Sequence, residues 1–348
     1  MRRATGRNAC HTADKNVCPT HLGWKGSTME TKSEGGSPQY RWQLIRAGPL
    51  RLDGGSMFGV VPRVVWQKMI AADERGRVVV AHNCLLLEEV DGKSNILIET
   101  GSGDKLDTKM SDIFGLGDVT VESALQSAGW PCEKVDHVIV THLHFDHAGG
   151  ATRRTRAGEK SDWTAGNGMG VKRTFPNAAV IVQRREWEDA LANRSTMTRT
   201  YLKENLEPLR QQLRLIDSPQ PFAPGYIPQR DELPATSVRE RETEVLPGIS
   251  VFVVPGHTWA QQAVKFTDDR GRTVVFGPDV LPTIHHVGAA YNMAYDQEPF
   301  MSTVSRHWYL EEAVRQGWLL VLDHEPGNPL QRATRDGKGW YQLHPEEA

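Results

Sequence analysis

Beyond Tyr40 the chain is punctuated by short apolar runs that end in Gly, Pro, Asp or His. Runs of that length bounded by turn residues predict strands. They fall at 42–45, 77–89, 95–99, 135–140, 180–182, 249–254, 262–266, 272–276 and 318–322, the last of the series. Asp91-Gly92-Lys93 joins the second and third as a hairpin, and Leu52-Asp53-Gly54-Gly55 reads as a turn. Helical spacing appears elsewhere. Val121, Leu125 and Ala128 share one face of a helix over 119–128 that Gly129 stops. Further helices are expected at 184–193, at 201–213 with Pro208 interrupting, and at 302–317, while 60–69 reads as a short helical or irregular segment. Residues 151–172 are basic and Gly-rich and read as a surface loop. A proline-rich insertion loop is expected around 217–240, as a lid, a pocket wall or a plain insertion.

Residues 1–40 are polar and without periodicity, which predicts a disordered tail preceding one folded domain over 41–348. Cys10, His11, Cys18 and His21 fit no usual zinc-finger spacing. Met1, Met29 and Met57 are alternative starts. The formal net charge of −2 gives no reason to expect a nucleic-acid partner. No apolar run approaches the roughly 18–20 residues of a spanning helix, so no membrane partner is expected. Four cysteines form no disulfide framework, and no apolar stretch follows Met1-Arg2-Arg3. A cytoplasmic location is the expectation.

Chemistry concentrates at 141–150, Thr-His-Leu-His-Phe-Asp-His-Ala-Gly-Gly. His142, His144, Asp146 and His147 crowd the end of a predicted strand. An extended backbone puts His142 and His144 on one face. Later, His257, Asp279 and His324 each follow an apolar strand. Strand ends are where layered α/β folds gather ligands, so these positions read as one metal site.

With Pro255-Gly256-His257-Thr258, Gly277-Pro278-Asp279 and Asp323-His324, the His142-x-His144-x-Asp146-His147 cluster resembles the metallo-β-lactamase superfamily over roughly residues 40–330. Glu99 to Lys105, Phe175 to Ala178 and Val253 to Thr258 resemble its lactonase and esterase branch. The resemblance implies an α/β fold, a four-layer αββα sandwich of two similar halves. It implies two divalent metal ions, Zn²⁺ with Fe or Mn as alternatives. His142, His144 and His257 would hold the first and Asp146, His147 and His324 the second, bridged by Asp279. A metal-bound hydroxide would attack a lactone or ester carbonyl of a small molecule, with Asp146 relaying the proton. A homodimer is left open. β-Lactamase, phosphotriesterase and mononuclear iron sulfur dioxygenase chemistry share this pattern, and a non-catalytic metal binder is the remaining alternative. The chain departs from the family at Gln261, where a second histidine is usual, and at Glu99, where aspartate is usual. Pro282 stands where some lactonases carry a tyrosine that assists the carbonyl, and Tyr291, Tyr295, His285 or His286 are candidates to replace it. Pocket walls are expected from 58–76, 151–172, 217–240 and 284–300.

Overall fold

The computed structural model describes residues 38–347. The predicted tail up to residue 37, with Cys10, His11, Cys18, His21 and Met29, lies outside them. Strand β1 (Tyr40–Asp53) leads into α1 (Gly54–Phe58), α2 (Arg63–Trp66), β2 (Arg77–Glu89) and β3 (Asn95–Ile98). Next come α3 (Thr108–Ile113), α4 (Val121–Ser127), β4 (His137–Ile139) and α5 (Phe145–Ala148). A small sheet of β5 (Thr152–Arg154), β6 (Trp163–Thr164) and β7 (Gly170–Arg173) follows. Then β8 (Ala179–Gln183), α6 (Arg184–Leu191), α7 (Lys203–Leu206) and β9 (Leu213–Ile216) close the first half. The second half runs α8 (Val238–Arg241), β10 (Thr243–Leu246), β11 (Ile249–Val253), β12 (Gln262–Thr267), β13 (Thr273–Gly277), α9 (Pro299–Gln316), β14 (Leu319–Leu322), β15 (Leu330–Arg335) and β16 (Tyr341–Pro345).

The apolar runs explain the layers. A strand alternates its side chains between two faces, so an unbroken apolar run belongs to a strand covered on both. Leu85, Leu87, Ile96, Ile98, Ile139 and Ile181 of the sheet β1-β2-β3-β4-β8-β9 meet Val251, Val264, Val274, Phe276, Leu319 and Val321 of the sheet β10 to β16 in one inter-sheet core. Their sequence neighbours face outward. Leu86, Leu97, Val138 and Val180 pack on Val121, Leu125, Trp187 and Leu206 of α4, α6 and α7. Phe252, Val275 and Leu320 pack on Val238, Trp308 and Tyr309 of α8 and α9. The result is the predicted αββα sandwich. Each such side chain contributes roughly 1.5–3 kcal/mol by leaving water. The parallel pairs β3–β4, β4–β8 and β13–β14 leave the ends of β4 and β14 pointing to one rim.

Several expectations need correction. β1 starts earlier and runs into the supposed turn at 52–55, pairing with β2 through Asp53 with a shift between Arg46 and Pro49, and α1 begins at Gly54. Gly48 sits in that shift at φ 96, and a Cβ there would lie 2.5 Å from the Val119 carbonyl oxygen. Asp53 caps α1 by accepting the Ser56 N–H. Residues 151–172 form the small sheet rather than a plain loop. The helix expected over 201–213 stops at a 3-10 turn, Glu207–Leu209, that accommodates Pro208. Leu213–Ile216 then join the sheet edge beside β8. Nor is β14 the last strand, because β15 and β16 extend its sheet. Among the described residues no helix is long and apolar enough to cross a membrane.

Candidate metal centre

Past β4 the chain stays extended, and two buried carboxylates hold its alternate amides. Glu99 accepts the Thr141 N–H at 2.5 Å and Glu186 accepts the Leu143 N–H at 3.0 Å. Alternation then sets His142 and His144 with their rings 4.6 Å apart, both buried. Tyr201 donates to Glu186 at 3.2 Å and lays its ring 5.1 Å from that of His144. The chain next turns into α5, which carries Asp146 and His147. His147 is fixed by Glu99 at 3.1 Å on Nδ1, while its carbonyl accepts from both the N–H and the hydroxyl of Thr100. Glu99 reaches both partners from a left-handed backbone, φ 68, a conformation of real cost for a residue with a Cβ. Gly149 and Gly150 allow the close approach. A Cβ on Gly150 would lie 2.0 Å from the Thr100 carbonyl oxygen.

The second sheet supplies the other wall. His257 follows β11, and its Nδ1 meets Asp296 at 2.9 Å. Its Nε2 therefore faces inward, 2.9 Å from His144 Nδ1 and 3.0 Å from Asp279 Oδ2. His324 follows β14, and its Nδ1 donates to the Ala81 carbonyl at 2.8 Å. That leaves its Nε2 3.1 Å from His147 Nε2 and 3.3 Å from Asp279 Oδ1. Asp146 stands 3.9 Å from His147 Nε2 and 3.7 Å from His324 Nε2. All seven predicted residues thus converge.

Two donor groups emerge among the described residues, His142–His144–His257 and His147–Asp279–Asp323–His324, each with its ligand atoms within 4.8 Å of one another. The close Nδ1–Nε2 and Nε2–Nε2 approaches of buried imidazoles, with a carboxylate between the pairs, fit divalent cations of the Zn²⁺ type. Burial and the surrounding histidine charges hold His142 and His144 well below the usual imidazole range. At His147 burial pulls the same way but the Glu99 and Asp146 carboxylates outweigh it, and the group lies well above that range. For Asp279 burial is outweighed by His257 and His324, which hold it well below the usual carboxylate range.

Asp323, Glu186, Tyr201 and Asp296 escaped the sequence reading. Asp323 was visible beside His324, but the others act across the fold and leave no local spacing. His82 and Asn83 stand behind the site. His82 meets Ser102 at 2.8 Å, and the Asn83 amide donates to the Leu322 and Glu325 carbonyls at 2.9 and 2.8 Å.

A cavity of about 150 Å³ opens over His144, Asp146, His257 and Asp279. Leu52, Phe114, Phe145, Met197 and Tyr295 give it apolar walls. Of the four candidates for the missing tyrosine, Tyr295 alone lines it, with its hydroxyl on Met57 Sδ at 2.7 Å. His286 is buried against the Met57 carbonyl, and Tyr291 packs on Phe58. The expected walls at 58–76, 151–172 and 217–240 do not reach this cavity. The last borders a separate groove of about 770 Å³ with Phe222, Tyr226 and Trp259. Trp66, Trp187 and Met293 are core.

A model of the metallo-beta-lactamase superfamily matches residues 77–315. An N-acyl homoserine lactonase of Bacillus thuringiensis is 24% identical over 245 residues, 67% of this chain and 76% of that protein. One from a Bacillus species is 26% identical over 235 residues, 64% and 73% of the two chains. Among solved structures, a probable metal-dependent hydrolase of Staphylococcus aureus superposes with a TM-score of 0.69 at 23% identity, covering 90% of this chain and 100% of the other. The dizinc quorum-quenching lactonase AidC, solved with a product, gives 0.64 at 17%, covering 90% and 96%.

Proposed function

The chain belongs to the metallo-β-lactamase superfamily, and from that premise we propose that it is a two-cation hydrolase that opens a lactone or ester of a small molecule. The observation that carries this reading is the pairing of buried imidazole nitrogens on either side of Asp279, at 2.9 and 3.1 Å. His142, His144 and His257 would hold one cation, and His147, His324 and Asp146 the other. The two oxygens of Asp279 face different histidines and would serve both. Bound cations supply Lewis acidity at a carbonyl oxygen and bring the pKa of a coordinated water from its bulk value toward ~7.

The chain's own residues do the rest. Asp146 borders the cavity and would take a proton from the attacking water and hand it to the departing alkoxide oxygen. Tyr295 can turn its hydroxyl from Met57, a weak acceptor, toward the substrate oxygen on which charge develops. Leu52, Phe114 and Met197 exclude water around the reacting carbonyl. A cavity near 150 Å³ takes roughly one benzene-sized group, so a ring fits within it and a long acyl chain must project out. The lactonase names of the relatives support a lactone over other acyl compounds.

Metal analysis of the purified chain, with a panel of lactones, esters, β-lactams and phosphotriesters, tests the reading. Two divalent ions per chain and preferential lactone or ester turnover are expected, with both lost in Asp279→Ala. Unchanged turnover by that variant after chelation would overturn it.

A further inference from the structure

We propose that Asp323 is an additional metal donor, making the His147–His324 side of the centre an oxygen-rich site for a hard divalent cation of the Mn²⁺ class. This rests on the reading of the centre as a metal site.

Asp323 sits one residue past β14 and is buried. Neither carboxylate oxygen has an N–H or hydroxyl donor among the described residues, and the group it lies against is the Asp279 carboxyl. Three other buried acids near the site each have a donor on at least one oxygen. Glu99 has the Thr141 amide and His147, Asp296 has His257 and the Met293 amide, and Glu186 has Leu143 and Tyr201. A buried carboxylate without donors calls for an explanation. Asp323 also lies within the donor group that holds Asp279. Two buried carboxylates side by side repel, and a cation between them removes both problems.

The backbone that carries the side chain is held in place. The Asn83 N–H donates to the Asp323 carbonyl at 2.9 Å, and the Asn83 amide ties down Leu322 and Glu325 on either side. Such outer hydrogen bonds orient a ligand rather than merely tolerate it.

The two halves of the centre then differ in kind. The His142–His144–His257 side has three imidazoles, which suit Zn²⁺. The other has two imidazoles and the carboxylates Asp279, Asp323 and Asp146. Carboxylate-rich sets favour Mn²⁺ and similar ions, and they tolerate higher coordination numbers.

The test uses the full chain stripped by chelation and titrated calorimetrically with Mn²⁺ or Zn²⁺, with metal counted after gel filtration. Wild type is expected to bind two ions. In Asp323→Asn the second Mn²⁺ should weaken about ten-fold or more, and the second Zn²⁺ by clearly less. Asp323→Glu, which keeps the charge, should recover part of the Mn²⁺ affinity. Wild type alone also decides. The Mn²⁺-to-Zn²⁺ ratio of dissociation constants should be smaller at one site than at the other, and equal ratios would overturn the proposal. So would an Asp323→Asn chain that binds both metals as wild type does, an outcome that leaves the hydrolase reading standing. A wild-type chain that binds no metal would sink both.

Discussion

Gly150→Ala probes how tightly the turn beside the candidate metal centre is built. The new Cβ would lie 2.0 Å from the Thr100 carbonyl oxygen and 2.8 Å from Val121 Cγ1. Ordinary contact begins near 3.4 Å, so the Thr100 backbone must retreat by about 1.4 Å, and no flexible side chain can absorb that. Thr100 gives two bonds to the His147 carbonyl, at 2.9 and 2.7 Å, and the Gly150 N–H gives one to Gly101 at 2.8 Å. Overpacking of this kind costs about 1–3 kcal/mol, and each buried bond lost about 1 kcal/mol more. The lower unfolded-state entropy of alanine returns under ~1 kcal/mol. A net loss of about 3–5 kcal/mol is expected, a large part of a typical domain's ~5–15 kcal/mol. Urea unfolding of the chelated protein measures it. Gly166→Ala is the control, since no atom lies within 4 Å of a Cβ there, and it should stay within ~0.5 kcal/mol. If Gly150→Ala matched that control, the claim that backbone contact dictates this turn would be wrong.

Two further outcomes follow from buried charges. Burial pushes the Glu186 carboxyl up, so its ionised form costs stability as pH rises through the unfolded value. Glu186→Gln should therefore be neutral or stabilising in urea at pH 7, whereas Glu186→Ala, which strands the Leu143 N–H and the Tyr201 hydroxyl, should cost about 1–3 kcal/mol per orphaned group; equal damage by both would refute this account. Lys105 donates to the Gly149 and Thr152 carbonyls, and burial lowers its pKa from 10.5 to about 8. Between those values the unfolded chain binds the extra proton, so stability should climb from pH 8 toward pH 10.5 by on the order of 3 kcal/mol. Lys105→Met should flatten that segment of the curve relative to wild type, and parallel curves would show that the ammonium is not held as described.

The parts legible in the sequence were those with a local signature. The His142 to His147 cluster and the apolar runs of β2, β11, β13 and β14 declare themselves because neighbours in sequence share one task. What hid was either half-buried or long-range. β1 alternates buried and exposed residues and carries Gly48 and Pro49, so only its Trp42–Ile45 stretch stood out. β15 and β16 are largely polar strands at one end of their sheet, β16 forming its edge, and β5 to β7 bury little beyond Thr152 and Val171. The polar face of the site was hidden too. Nothing near Glu186 in the sequence tells that it supports Leu143, 43 positions away.

Each donor group draws side chains from both halves of the sandwich, His142 and His144 with His257, and His147 with Asp279 and His324. With the proposed cations in place, each ion is a clasp across the inter-sheet core rather than an ornament at its rim. A ligand that binds only the folded form adds about 4 kcal/mol when its concentration is a thousand times its dissociation constant. The lifetime of the folded chain would then follow metal supply, and starvation for metal would register as faster turnover of the protein by proteolysis as well as lost activity.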